Sequence, residues 1–342
     1  MPRRFILSDV RIGGSAAAER SLSSKSRIPF QAGALGVVAI WKGLTRAQAA
    51  DQYVRFDLPY QHVPAVWVAD EDSQHLVDPA GCTSDSCPEH PLQRAATDTV
   101  WTVVEGEITS ESILVISHTD DVNAVEENGA IGILELARMF ARGPRPERTI
   151  VFIFVTGHLR IPAVTAQSHS QATTAWLTAH PEWWSGKDGA PGTVAGLVLE
   201  HLGAVADMRG APAGVDPAIE LTYATNAMMQ KILKESWPKR RRGKALIAEP
   251  NGLFQIGEGE PLYKLGIPAI ALASVPEYLL AVTKADVVDV DLMQEQIAFA
   301  RALCLIARTP AQLLGRAKRT GLLRKLRTLQ LASIIVRVRL RS

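Results

Sequence analysis

The sequence predicts an α/β protein built as a three-layer sandwich around a mixed, mainly parallel central sheet. Three observations carry that expectation. From about residue 97 short apolar runs alternate with segments of helical periodicity, the pattern of strands crossed over by helices. The run Thr149-Ile150-Val151-Phe152-Ile153-Phe154-Val155-Thr156 is apolar on both alternating faces, as in an interior strand covered on both sides. At 342 residues and 47% hydrophobic content, the chain has the material for one large core and a smaller companion.

In chain order, Gly33 to Trp41 reads as a glycine-marked turn feeding a buried strand, and Val63 to Ala69 as a second strand. Thr45 to Tyr53 between them is a short helix candidate. Val100 to Val104 and Ile113 to Ser117 are strands separated by Glu105-Gly106-Glu107. Gly129 to Arg142 is a helix, with Ile131, Leu134 and Phe140 on its apolar face and Gly143-Pro144 ending it. Gly196 to Leu199 and Pro268 to Ala273 are further strands, and Leu292 to Ala307 a closing helix. These place an N-terminal segment at 1–96, the main domain at 97–310 and a tail at 311–342.

Net charge is +2, unevenly spread. Residues 316–342 carry nine Lys and Arg and no acid, which leaves 28 basic against 35 acidic residues elsewhere, a balance of −7. In the tail, Leu314, Ala317, Leu322, Leu326 and Leu329 share a helical face beside Arg324, Lys325 and Arg327, so peripheral contact with an acidic membrane surface stands against a merely solvated extension. Neither the tail nor Lys239 to Lys244 interleaves aromatics with its charges, and no nucleic-acid partner is expected. Cys82 and Cys87 lie in a loop-like stretch, as free thiols or a small disulfide, and Cys304 falls in an apolar helical run. No signal peptide or transmembrane run is visible, so the chain as written is expected to be cytoplasmic.

In open α/β sheets the chemistry sits at the carboxyl ends of the strands. Here strand 113–117 runs into His118-Thr119-Asp120, strand 149–156 into Gly157-His158, and strand 196–199 into Glu200-His201, while Glu126-Glu127-Asn128 precedes the long helix. Three neighbouring strand ends each carrying imidazole or carboxylate point to a metal site. Side chains alternate along a strand, so if Glu200 faces that site, His201 is expected to face the core. No glycine-rich phosphate loop and no Gly-x-Ser-x-Gly elbow is present, which removes support for nucleotide-dependent and serine-hydrolase chemistry.

Ile113-Leu114-Val115-Ile116-Ser117-His118-Thr119-Asp120, Glu127-Asn128-Gly129, Arg148-Thr149-Ile150-Val151-Phe152, Leu199-Glu200-His201-Leu202-Gly203 and Gly266-Ile267-Pro268-Ala269 follow one another in order over some 200 residues. The ordered set resembles the co-catalytic zinc exopeptidases, the zinc aminopeptidases and glutamate-carboxypeptidase-like enzymes. Residues 25–80, with Gly36-Val37-Val38 and Pro64-Ala65-Val66-Trp67-Val68, resemble part of a protease-associated domain. The resemblance implies one or two zinc ions, with His118 a ligand, Asp120 the carboxylate that orients it, Glu127 at the bridging carboxylate and Glu200 at the second ion's carboxylate. A peptide or amino-acid-derivative substrate follows from the same resemblance.

Two family landmarks are changed. The adjacent glutamates, base then ligand, are His158-Leu159, and the histidine after a tyrosine is absent from Tyr278-Leu279-Leu280-Ala281. Each ion then keeps two of three expected protein ligands, a weak site. Either the site is rebuilt, with His158 as ligand or general base and His201 or Glu258 as a replacement ligand, or the site is degenerate and inactive, and the peptidase fold serves as a peptide- or protein-binding module. The segment expected ahead of a protease-associated domain is not recognisable before residue 25. A shortened N-terminus would leave a sheet edge for a homo-oligomer to cover, and a signal sequence in a missing portion would make the protein secreted.

Overall fold

The computed structural model describes residues 5–11, 36–42, 65–73, 96–120, 123–157, 172–205, 217–236, 242, 244–248, 257–276, 279, 288–297 and 300–316. Near the N-terminus, β1 (Phe5–Arg11), β2 (Gly36–Lys42) and β3 (Ala65–Ala69) form a parallel three-stranded sheet in that order. The expected helix at 45–53, Cys82 and Cys87, His158, and the tail beyond residue 316 lie outside the described residues.

The main sheet has seven strands: β4 (Val100–Val104), β5 (Ile108–His118), β6 (Arg148–Val155), β7 (Gly192–Glu200), β8 (Ile219–Ala224), β9 (Lys244–Ala248) and β10 (Ala269–Ser274). Their spatial order is β4-β6-β5-β7-β10-β8-β9. β6, β5, β7 and β10 are parallel neighbours; β4 pairs antiparallel with β6, and β8 antiparallel with β10. The helices among the described residues are α1 (Ala124–Glu127), α2 (Gly129–Arg142), α3 (Ala172–Ala179), α4 (Ala227–Ser236), α5 (Glu260–Leu265), α6 (Val290–Ile297), α7 (Ala300–Arg308) and α8 (Ala311–Leu314). None of the helices among the described residues is long and apolar enough to cross a membrane.

The alternation of side chains along each central strand divides the core into two layers. Ile113 and Val115 of β5, Ile150 and Phe152 of β6, Leu197 and Leu199 of β7, and Ile270 and Leu272 of β10 meet α2, α4, α6 and α7. Leu114, Ile116, Val151, Ile153, Val198 and Ala271 point the other way, against Ala172, Trp176 and Leu177 of α3 and Leu262 of α5. This is the three-layer arrangement the doubly apolar β6 run demands.

The face that α2 buries is the expected one only at Phe140, which packs against the core beside Phe152. Gly129, Gly132, Ile133, Leu136 and Ala137 pack inward, whereas Ile131 and Leu134 are 55% and 40% exposed. Two glycines decide the phase: a β-carbon on Gly129 would overlap Ser117 and the Leu199 carbonyl, and one on Gly132 would overlap Leu202, so the helix lies closer to the sheet than side chains there would permit. The expected closing helix is described as α6 and α7, with residues 298–299 outside the described set.

Arg148 ties the sheet to the helical layer. Its side chain, only 3% exposed, donates from Nη1 to the carbonyls of Ile306 (3.2 Å) and Ala307 (2.6 Å) at the end of α7, and from Nε to the Glu111 carboxylate. Arg148→Met takes the guanidinium from the Ala307 carbonyl and the Glu111 carboxylate, leaving Ile306 O with the Thr309 N–H at 3.2 Å, and is expected to cost about 3 kcal/mol in urea unfolding, against a smaller loss for Glu111→Gln. Equal, negligible losses in the two variants would remove this role.

Candidate metal centre

The residues that meet at the carboxyl rim of the sheet come from four short pieces of chain. His118 ends β5 and is fully buried. Glu200 ends β7 and His201 follows it, at 3% and 6% exposure. Glu126 belongs to α1 and is fully buried. Glu258 lies in a single 3-10 turn, Gly257–Gly259, and is 1% exposed.

Local hydrogen bonding fixes each piece. Asn123 caps α1: its Oδ1 accepts from the amides of Val125 (3.0 Å) and Glu126 (3.1 Å), and its Nδ2 donates to the Leu279 carbonyl. Asn128 holds both backbone groups of Leu202, accepting its N–H at 2.7 Å and donating to its carbonyl at 2.5 Å. The Glu258 amide donates to Glu200 Oε1 at 2.7 Å, and the Glu258 carboxylate accepts the Thr173 amide at 2.9 Å. Gly257 has φ 75° and faces the Glu200 carboxylate, which a side chain there would overlap.

Ligand atoms of His118, Glu200 and His201 all lie within 4.8 Å of one another. His118 Nε2 is 3.3 Å from His201 Nε2, 3.8 Å from Glu126 Oε2 and 3.9 Å from Glu200 Oε2. His201 Nε2 is 2.8 Å from Glu126 Oε2 and 4.0 Å from Glu200 Oε2. A tetrahedral zinc with Zn–N of about 2.0–2.1 Å separates its ligand atoms by about 3.3 Å, within the spread of these contacts. The donor chemistry, two imidazole nitrogens and two carboxylates, suits zinc as well. Two buried carboxylates also call for positive charge, which a cation or a protonated imidazole provides.

The His201 imidazole is oriented from behind. A carbonyl can only accept, so Nδ1 donates its proton to Ser274 O at 2.8 Å, and in the neutral ring the Nε2 lone pair faces Glu126 and His118. Burial alone would pull its pKa down; the Glu126 carboxylate, paired and hydrogen-bonded to it, outweighs that together with Glu200 and holds the pKa above the usual histidine value. A proton on this ring balances the two carboxylates as a cation would.

Of the residues expected from sequence, His118 and Glu200 come together here. Glu127 does not: its side chain is exposed, and its neighbour Glu126 faces His201 instead. Successive helical residues differ by about 100° in direction, so a single helical turn phased by Asn123 cannot aim both glutamates inward. Asp120 accepts the Gly157 amide at 2.9 Å, linking the ends of β5 and β6.

His201 reverses the expectation drawn from strand alternation. With φ 55° it stands outside strand geometry, so the two-residue period stops at Glu200 and consecutive side chains reach one pocket. Histidine is among the few side-chain-bearing residues enriched in this region. Gly203 at φ 65° marks the same departure, and a glycine two residues past His201 was the available signal. Glu126 offered none beyond its place beside Glu127.

No protein-family model matches the sequence, and neither does any curated protein. Solved structures do. The peptidase M28 precursor from Shewanella amazonensis is 13% identical, with a TM-score of 0.55 over 89% of this chain and 68% of that one. BSAP, a zinc aminopeptidase from Bacillus subtilis, is 12% identical, with a TM-score of 0.51 over 92% and 71%. Legionella pneumophila LapA aminopeptidase is 15% identical, with a TM-score of 0.44 over 63% of this chain, which spans 60% of LapA's length. The likeness is one of architecture: this chain has a zinc exopeptidase-like α/β fold.

Proposed function

We propose that the chain is a metal-dependent hydrolase of peptide or aminoacyl amide bonds, with one zinc ion held by His118, Glu200 and His201. The observation that supports this reading is the convergence of those three donor sets, all buried, within 4.8 Å at the carboxyl rim of the sheet. Bound there, zinc would supply Lewis-acid polarisation of an amide carbonyl and a water acidic enough to act near neutral pH.

The protein's own groups divide the remaining work. Glu258 N–H and Gly257 aim the Glu200 carboxylate, Ser274 O fixes the His201 tautomer, and Asn128 fixes the turn that carries it. Glu126 is the carboxylate outside the three-residue set, and its Oε2 is the group assigned to take a proton from the attacking water. Asp120 supports the end of β5 next to His118 through the Gly157 amide. On this reading the weak site inferred from the changed landmarks is rebuilt by His201, which brings the protein ligands back to three.

Purified protein is expected to hold one zinc per chain, and His118→Ala and His201→Ala each to lose it on dialysis; full occupancy in both variants would end this assignment. Glu126→Gln should retain the ion while hydrolysis of aminoacyl anilides falls by about 10² to 10⁴. A wild-type protein that binds zinc and peptides yet hydrolyses no amide would favour the peptide-binding module instead.

The raised pKa of His201 sets opposite pH trends for the two states. In chelator, the His201–Glu126 pair stabilises fully below the unfolded histidine pKa, and that contribution disappears as pH rises through the higher folded value. Metal-free urea midpoints should therefore fall as pH rises above the ordinary histidine value of about 6.5, a slope that His201→Ala removes. Zinc must displace the same proton, so its affinity should climb over that range. A rising metal-free stability would contradict the pairing.

A further inference from the structure

Two consecutive residues can serve one ion only if the chain leaves strand geometry between them. Glu200-His201-Leu202-Gly203 does so with two left-handed residues, His201 at φ 55° and Gly203 at φ 65°. For a residue with a β-carbon, that conformation costs roughly 1–2 kcal/mol. Its persistence requires contacts that over-determine the turn.

Asn128 supplies one, on Leu202. The other comes from Gln296 of α6, a fully buried amide far along the sequence. Its Oε1 accepts the Gly203 N–H at 2.5 Å, and its Nε2 donates to Glu220 Oε1 at 2.6 Å and reaches Ser274 Oγ at 3.5 Å. Glu220, on β8 directly opposite Ser274 in the β8–β10 register, is also fully buried. Because a carboxylate only accepts, it draws the amide NH2 toward itself and leaves the oxygen one direction, toward Gly203.

Ser274 closes the arrangement: its carbonyl takes the His201 Nδ1 proton while its hydroxyl lies beside Gln296. The far side of the turn is held against α6, where Asp289 N–H donates to Gly203 O at 2.8 Å and a β-carbon at 203 would come within 2.6 Å of Asp289 O. A buried carboxylate and amide within an apolar helical layer cost stability unless their bonds are used. Here the Gln296 amide spans Gly203, two residues beyond His201, and Ser274, which holds the imidazole, while Glu220 orients that amide.

We propose that Gln296, aligned by Glu220, is a positioning residue for the metal centre: it anchors the Gly203 amide, so that His201 remains left-handed with Nε2 directed at His118 and Glu200. This rests on the metal reading above. Zinc affinity is measured by competition with a chromophoric chelator on the full chain. Gln296→Met should weaken binding about 10- to 100-fold, and Glu220→Gln less, in the same direction. In a His201→Ala background, Gln296→Met should change nothing, because the effect passes through the imidazole. The same factor in both backgrounds, or unchanged affinity in Gln296→Met, overturns the proposal.

A second readout needs no metal. In chelator, the wild-type protein should show a slowly exchanging His201 Nδ1 proton and a protected Gly203 amide by NMR, and Gln296→Met should lose both. If wild type binds no zinc, the metal reading fails and these signals alone decide: their loss in the variant upholds the positioning of His201, and their persistence refutes it. Should Gln296→Met not fold, Glu220→Gln, which conserves volume, carries the same measurements.

Discussion

Two carboxylates, Glu126 and Glu200, are buried beside two imidazoles, and the charge balance of that group governs the rest of the structure around it. Removed from water, each carboxylate would be costly without a positive partner. The carboxylates favour a proton on His201, raising its pKa despite burial, and a zinc ion would take that proton's place. Much of the surrounding architecture, from the Asn123 cap to the Glu258 amide, holds these four groups at contact distance and prevents the pocket from relaxing outward.

The backbone has to approach closely for this to work. Gly129 lets the start of α2 rest on the ends of β5 and β7, and Gly257 lets its turn lie flat on the Glu200 carboxylate. Side chains at either place would push apart the elements that carry Glu126, Glu200 and His118. The hydrophobic layers supply rigidity: β5 and β7 are central strands with both faces buried, so their ends form a fixed rim on which donors can be set to within fractions of an ångström.

The three-layer fold was legible because β5, β6, β7 and β10 are apolar on both faces, which leaves no room for a solvated side. β8 and β9 were not read, and Glu220 within the Ile219–Ala224 strand shows why: a buried carboxylate interrupts the apolar pattern. His118 and Glu200 could be found as strand-end residues. Glu126 could not be told from Glu127, since their difference is one of helical phase, set by the Asn123 side chain. For His201, alternation favoured the core over a replacement ligand, but that rule holds inside strands, and the residue lies one position beyond one. Alternation, periodicity and motif order are local properties; the pocket depends on tertiary hydrogen bonds between residues 74 to 93 positions apart, such as those of Leu202 with Asn128 and Gly203 with Gln296.

The account turns on a single cation shared by His118, Glu200 and His201. Crystals of zinc-loaded protein, with data collected on both sides of the zinc absorption edge, test it directly. One anomalous peak about 2.0–2.2 Å from both imidazole Nε2 atoms and a Glu200 oxygen is the predicted result. A peak elsewhere, or none in that pocket with zinc in excess, would contradict it.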